Sequence, residues 1–273
     1  MTTSYPTSLK TWRQTVENNL RAENSWLTVS GLCWLKEGEN PFGTDPSNEI
    51  VLPPNSAPAH AGVFYFKDGQ VTVHPANGEI TINGEPTDIR TIQTDATGSP
   101  DRIRLRALSM TVIERGGRHG IRLFDNEAPR YKAFTGLNWY PVDETYRVPA
   151  RFIPHETPIM LPILTIIGDL EEAPSPGKIV FTLEGQEYEL FAESSDPTQR
   201  LFFNFKDATN GKTTYPASRF LYTEGVQNGE VMVDFNRARN PPCAYTDYAT
   251  CPLPPEENVL PIAIPAGEMM SDY

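Results

Sequence analysis

The stretch AGVFYFKDGQVTVHPANGEITINGEPTDIRTI, residues 61–92, decides the architecture. Val71 and Val73 alternate with polar neighbours, and so do Ile80 and Ile82. This is the period-two signature of a half-buried strand. Lys67-Asp68-Gly69, Ala76-Asn77-Gly78 and Asn83-Gly84-Glu85 punctuate the pattern and read as turns. Outward from this stretch, the same reasoning predicts strands at 49–52, 61–66, 70–74, 79–82, 87–92, 102–107 and 110–115. Further strands are predicted at 119–124, 144–153, 161–167, 178–183, 187–191, 200–205, 219–223 and 230–235, with hairpin tips at Gly116-Gly117 and Glu184-Gly185.

The start of the chain differs. Leu9, Trp12, Val16 and Leu20 recur at spacings of three and four, which predicts a helix with those residues on its buried face. Ser8 is its candidate cap, and it should stop near Asn24, with a second short helix including Leu32 and Leu35. The fold class expected is therefore mainly β: an antiparallel sandwich or barrel with a short N-terminal helical lead. The alternation of strand and helix that builds a doubly wound fold is missing. One domain is expected over 1–273: a helical lead (1–40), a β body (49–235) and a packed Pro-rich extended segment (236–268).

That last segment holds seven of the 26 prolines between 240 and 265, so it is no central strand. Tyr245, Tyr248, Leu253, Val259, Leu260, Ile262 and Ile264 are interleaved with them. Such apolar content argues for an ordered extended segment packed on the body.

Composition removes several function classes. The 273 residues carry a formal charge of −12, a poor match to nucleic acid or an anionic membrane surface. No apolar run approaches the roughly 20 residues of a spanning helix, and MTTSYPTSLKTW lacks the features of a secretory signal. Three cysteines do not make a disulfide scaffold and suit a reducing compartment, so a cytoplasmic location is expected. No cofactor motif is found, and a zinc site at Cys243 and Cys251, eight apart with no nearby His, is a weak match.

The charge is unevenly spread. Nine of the 16 arginines lie between 102 and 151, and that window carries +5 against −17 for the remainder. A guanidinium fork is well matched to a carboxylate or phosphate. Arg102, Arg104 and Arg106 share one strand face, and Arg147 and Arg151 share another. Such faces build an anion pocket if they line a cleft, or a solvated charged surface if they do not. The run Gly116-Gly117-Arg118-His119-Gly120 lacks the Lys-Ser or Lys-Thr of a P-loop and reads as a tight hairpin. No G-x-S-x-G elbow, H-E-x-x-H or EF-hand is present.

Of the four histidines, His119 and His155 are the better acid–base candidates; His60 and His74 sit in a polar strand-and-turn region. The densest polar constellation is 234–245, where Asp234, Asn236, Arg237 and Asn240 leave a strand for a proline-fixed loop. Those groups either orient a ligand or satisfy backbone in an irregular crossing.

The runs GLCWLKEGENPFG (31–43), IERGGRHGIRLFD (113–125), FTGLNWYPVDETYRVPARF (134–152), FKDATNGKTTYPASRFLY (205–222) and DFNRARNPPCAYTDYATCPLPPEENVLPIAIPAGE (234–268) resemble the domain of unknown function 1684 family. The resemblance spans nearly the whole chain and implies one mainly β domain with a helical lead. It transfers no activity, and it implies that Asp234, Asn236, Asn240, Cys243 and Cys251 belong to a family hallmark.

The function expected is a cofactor-independent enzyme acting on a small anionic, carboxylate-type metabolite by acid/base chemistry, in hydrolysis, isomerisation or elimination. Arg118, Arg147 and Arg151 would bind the anion, Asn236 and Asn240 would orient it, and Asp125 or Asp234 would be the acid or base with His119 as partner. The alternatives are a non-catalytic small-molecule-binding module using the same pocket, and a scaffold that meets a protein through a detached Pro-rich segment.

Overall fold

The computed structural model describes residues 4–271. The chain is mainly β and divides into two compact units: the first takes the chain up to Asn19 and from Thr135 onward, and the second is Leu20–Phe134. The second is thus an insertion, in chain order, between an N-terminal helix and the rest of the first. Among the described residues no helix is long and apolar enough to cross a membrane.

The second unit holds eleven strands: β1 Val29–Trp34, β2 Gly38–Gly43, β3 Ile50–Val51, β4 Gly62–Lys67, β5 Gln70–Pro75, β6 Ile80–Ile82, β7 Glu85–Pro86, β8 Arg90–Ile92, β9 Ile103–Leu105, β10 Leu108–Arg115 and β11 Arg118–Asp125. They form a six-stranded sheet, β1-β11-β10-β9-β6-β7, and a five-stranded sheet, β3-β2-β4-β5-β8. Residues of both meet in one apolar cluster that includes Phe42, Phe64, Val71 and Val73 from one sheet and Ile80, Ile103, Met110 and Val112 from the other. The alternation read from sequence set these faces.

The turns are chemically specified. At the β10–β11 tip Arg115 pairs with Arg118, so Gly116 and Gly117 are the two central residues, at φ 53° and 73°. Positive φ at both is the type I′ geometry that follows the twist of a hairpin, and glycine adopts it without a Cβ clash.

The first unit begins with α1, Tyr5–Leu20. Its strands are β12 Arg147–Leu164, β13 Leu170–Leu183, β14 Gln186–Phe191, β15 Arg200–Phe205, β16 Arg219–Glu224 and β17 Glu230–Asp234. They form a four-stranded sheet, β14-β13-β12-β17, and a two-stranded one, β15-β16. A separate core gathers Ile179, Phe181, Leu190, Leu201, Phe203, Phe205, Leu221, Val233 and Phe235.

Leu260, Ile264 and Ala266 of the Pro-rich segment join that core. Two buried polar anchors hold the segment there. Arg219 Nη1 donates to Asp207 Oδ2 at 2.5 Å and to the Ile264 carbonyl at 3.0 Å, and its Nη2 donates to the Ala266 carbonyl. Asn258 acts as a strand surrogate: its Nδ2 donates to the Phe191 and Asn204 carbonyls, both at 3.0 Å, and its Oδ1 accepts from the Phe191 N–H at 2.7 Å. The segment is packed rather than detached.

Three local expectations need correction. Residues 29–43 form β1 and β2, not a second helix. β1 pairs with β11 some ninety residues on, matching Leu32 to Arg122 and Cys33 to Ile121, a partner invisible to local periodicity. The first helix starts at Tyr5 rather than after Ser8 and ends at Leu20, before Asn24. β12 runs for 18 residues despite Pro149, Pro154, Pro158 and Pro162. β17 adjoins it only over Arg147–Arg151, so the last three prolines lie where β12 pairs on one side alone, with a register break between Pro154 and Ile159.

Candidate functional site

The site builds from the two-stranded sheet of the first unit. Alternation sends Leu201, Phe203 and Leu221 into the core. The opposite face carries Phe220, Phe202, Tyr222 and Arg200 as a stacked column. Phe202 meets Phe220 edge-on at 5.0 Å and stacks on Tyr222 at 4.7 Å. The Arg200 guanidinium lies 3.9 Å from the Tyr222 ring centroid. The register that makes this column sets Phe202 opposite Tyr222 and Arg200 opposite Glu224.

A third rung adds two more arginines. Asp234 ends β17 and caps the turn Phe235–Arg237, its side chain accepting from the Asn236 N–H. The chain then pairs with β16 through Arg239, which exchanges N–H and C=O bonds with Phe220 at 2.8 and 2.9 Å. This pairing leaves the Arg239 guanidinium 5.8 Å from Tyr222 and 6.0 Å from Trp12, with Arg237 at 5.5 Å from Trp12. Trp12, Thr15, Val16 and Asn19 of α1 fall at helical spacing and supply the facing wall.

The result is a cavity of about 510 Å³ lined by Arg200, Arg237, Arg239, Tyr222, Glu224 and Trp12, among others. Guanidinium and aromatic groups alternate around it: Arg200, Tyr222, Arg239, Trp12, Arg237. Each such contact contributes about 0.5–2 kcal/mol and fixes the plane of the fork. Arg237 Nε is 3.3 Å from Asp234 Oδ2. Among the described residues, Arg200 and Arg239 have no carboxylate within ion-pairing distance. Their hydrogen-bonding forks therefore remain available to a ligand. Burial holds the Tyr222 phenol above its ordinary range, with Arg239 and Arg200 opposing that rise.

Next to this cavity, Asp234 Oδ1 accepts from Tyr5 Oη at 2.7 Å and from the Asn236 N–H and Nδ2, both at 3.2 Å. Arg147 is the strand partner of Asp234 and stacks over Tyr5 at 5.0 Å. Burial, then the bond to Asp234, pushes the Tyr5 phenol far above its usual range. The structure thus brings Arg147, Asp234 and Asn236 together around Tyr5.

It does not bring the other expected residues to that place. Arg151 is exposed and paired with Glu187 at 3.1 Å. Asn240 is spent on Glu268, donating from Nδ2 at 2.9 Å and from its backbone at 3.0 Å. Asn236 accepts from the Asp143 N–H at 3.1 Å and donates to the Asp143 carbonyl at 2.8 Å. Both asparagines satisfy backbone or buried groups, the structural alternative of the sequence reading.

Arg118, His119 and Asp125 belong to the second unit. There Arg118 lies 4.2 Å over Trp34, buried His119 has Nε2 3.6 Å from Glu114, and Asp125 accepts from the Glu127 N–H at 2.8 Å in a turn. Arg104, Arg106 and Arg115 pair locally with Glu23, Glu79 and Asp95. His155 lies 5.5 Å from Phe191.

Trp12, Arg200, Tyr222 and Arg239 were not singled out from sequence as site residues. Trp12 was absorbed into the apolar helix stripe, yet it is only part-buried while Leu9, Val16 and Leu20 are buried. Alternation through 219–223 put Tyr222 opposite Leu221, and that signal was the available one. Among the described residues no group of three or more His, Cys, Asp or Glu is placed to hold a metal ion.

Comparison with known proteins bears out the family resemblance over the later part of the chain, while the runs at 31–43 and 113–125 lie outside the matched residues. Residues 132–269 match the model of the family described as protein of unknown function (DUF1684). No curated protein matches. The solution structure of an uncharacterized protein from Haloarcula marismortui is 34% identical, covering 52% of this chain and 80% of its own, with a TM-score of 0.43. A crystal structure of the FhaA FHA domain in complex with an intracellular domain is 17% identical, covering 34% of this chain and 96% of its own, with a TM-score of 0.24. With more than half its length matched by that model, the chain belongs to the DUF1684 family of proteins of unknown function.

Proposed function

We propose that the protein binds a small anionic metabolite of carboxylate type in the arginine-lined cavity of its first unit. The observation that carries this reading is the ring of Arg200, Arg237 and Arg239 held by Trp12 and Tyr222 around about 510 Å³, with Glu224 as the carboxylate on its wall. Three fixed cations against one anion make the cavity locally positive in a chain of net charge −12. Such a local field attracts an anion that the remainder of the surface repels.

The non-catalytic module is the better-supported form of the proposal. A turnover reading needs an acid or base at the ligand. Of the acid–base groups expected from sequence, Asp234 already accepts from Tyr5 and Asn236 and pairs with Arg237, and His119 and Asp125 do not line this cavity, which leaves Glu224 as the wall carboxylate that a turnover reading would use. The reading assigns the protein to the cytoplasm, where such metabolites circulate. It also takes the two sheets of the second unit as a sandwich, antiparallel except for the parallel β2–β3 pair, and their shared apolar cluster supports this.

Calorimetric titration with succinate, and separately with inorganic phosphate, tests the proposal. The expected result is saturable binding of succinate, weakened tenfold or more by Arg239→Met and unaffected by Arg151→Met; binding of phosphate alone contradicts the carboxylate class. Equal affinity in wild type and Arg239→Met overturns it.

A further inference from the structure

The Pro-rich segment contains a second chemical feature, unrelated to the cavity. Cys243 sits in the turn Pro242–Ala244, and Cys251 lies eight residues on. The two residues are in direct contact: the Cys243 N–H donates to Cys251 Sγ at 3.2 Å. Pro241, Pro242 and Pro252 restrict the backbone at both ends of the intervening loop. Tyr215 Oη donates to the Cys243 carbonyl at 2.8 Å, and the Cys251 carbonyl accepts from the Ile166 N–H at 2.8 Å. Both cysteines are therefore tethered at the backbone.

The two differ in access. Cys243 is half-buried and Cys251 is buried at 4% exposure. We propose that Cys243 and Cys251 form a hydroperoxide-oxidisable dithiol, with Cys243 as the attacking thiol and Cys251 as the resolving one.

The chemistry balances in two steps. The Cys243 thiolate attacks a peroxide oxygen; an S–O bond forms, the O–O bond breaks, and the departing alkoxide or hydroxide takes up a proton. The Cys251 sulfur then attacks the Cys243 sulfenic acid; an S–S bond forms, the S–O bond breaks, and water leaves with the Cys251 proton. Two electrons pass from the dithiol to the peroxide. The hydrogen bond from Cys251, aided by Tyr215, holds the Cys243 thiol below its ordinary range against the opposing effect of burial, which raises the thiolate fraction that reacts. Cys33 is an internal control: burial pushes its thiol up.

Treating the full chain with one equivalent of hydrogen peroxide tests this. Peptide mapping should find a Cys243–Cys251 link lacking two hydrogens, and thiols labelled after unfolding should fall from three to one. Dithiothreitol should restore all three. In Cys251→Ser, dimedone should trap a sulfenic acid on Cys243 without a link. In Cys243→Ser, Cys251 should give neither adduct nor link. Two results overturn the proposal: oxidation of Cys33 ahead of the pair, or the same unlinked Cys243 product from wild type and Cys251→Ser.

Discussion

The two units reach a folded core by different means. In the second, short strands joined by glycine turns fold alternating side chains into a cluster of aliphatic and phenylalanine residues. In the first, long irregular stretches cross the core, and polar side chains stand in for missing strands. Asn258 completes a rung with Phe191 and Asn236 with Asp143. Arg219, Asp207 and Glu268 lie inside with side chains closed to solvent. Irregular backbone can be buried only where each N–H and C=O finds a partner. The first unit also presents a cavity with fixed cations, where the irregular stretch after β17 brings Arg237 and Arg239 beside the β15–β16 sheet.

This contrast predicts where substitutions hurt. The largest effect should come from Arg219→Met, which leaves Asp207 buried without its cation and releases the Ile264 and Ala266 carbonyls. A loss of about 3–5 kcal/mol is expected, measured by urea unfolding. Hydrogen exchange should report the loss in the first unit; equal loss of protection in the second would break the contrast.

Asn258→Ala comes next. It strips partners from two Phe191 backbone groups and the Asn204 carbonyl, at a cost of about 2–3 kcal/mol. An effect under about 0.5 kcal/mol would show that water replaces the amide.

The third prediction concerns pH. Burial pushes Glu268 up to about 7 despite donors from Tyr245 and Asn240, and burial pushes Glu193 up to about 7 as well. Both lie above the ordinary carboxylate value of 4.5, so the folded state holds more protons than the unfolded one between these values. The stability they contribute is greatest at the acid end of that window and is lost as pH rises through about 7. Thermal melts should fall across pH 5–8, equivalent to about 1–3 kcal/mol. Glu268→Gln, which stays neutral, should flatten part of that fall. A rising profile, or one unchanged by the substitution, contradicts the assignment.

The smallest effect probes the second unit. Gly117→Ala meets no atom within 4 Å, so its cost is the positive φ of 73° alone. About 1 kcal/mol is expected, readable as a small drop in melting temperature.

How much of this was legible follows from the same contrast. Local chemistry read well: the tip at Gly116-Gly117, the stripe Leu9, Val16, Leu20, and the buried Leu260 and Ile264 among prolines are all visible in short windows. β1 was misread because its partner β11 is distant in sequence. Of the three arginines that line the cavity, only Arg237 was singled out from sequence, in the constellation that follows Asp234. An excess of arginine in 102–151 drew attention to side chains that pair locally, such as Arg104 with Glu23 and Arg151 with Glu187. Arg200 is distant in sequence from the neighbouring Arg237 and Arg239, and they meet where Arg239 pairs with Phe220. That crossing is held by buried polar bonds, which leave no periodic trace.

The central claim is that an anion is held by this particular set of guanidinium groups. Titrating succinate into isotopically labelled protein and following arginine Nε–H and tryptophan indole signals tests it directly. The account predicts saturable shifts at Arg200, Arg237, Arg239 and Trp12, with Arg118, Arg147 and Arg151 unmoved. Shifts confined to the latter three would place the anion elsewhere and contradict it.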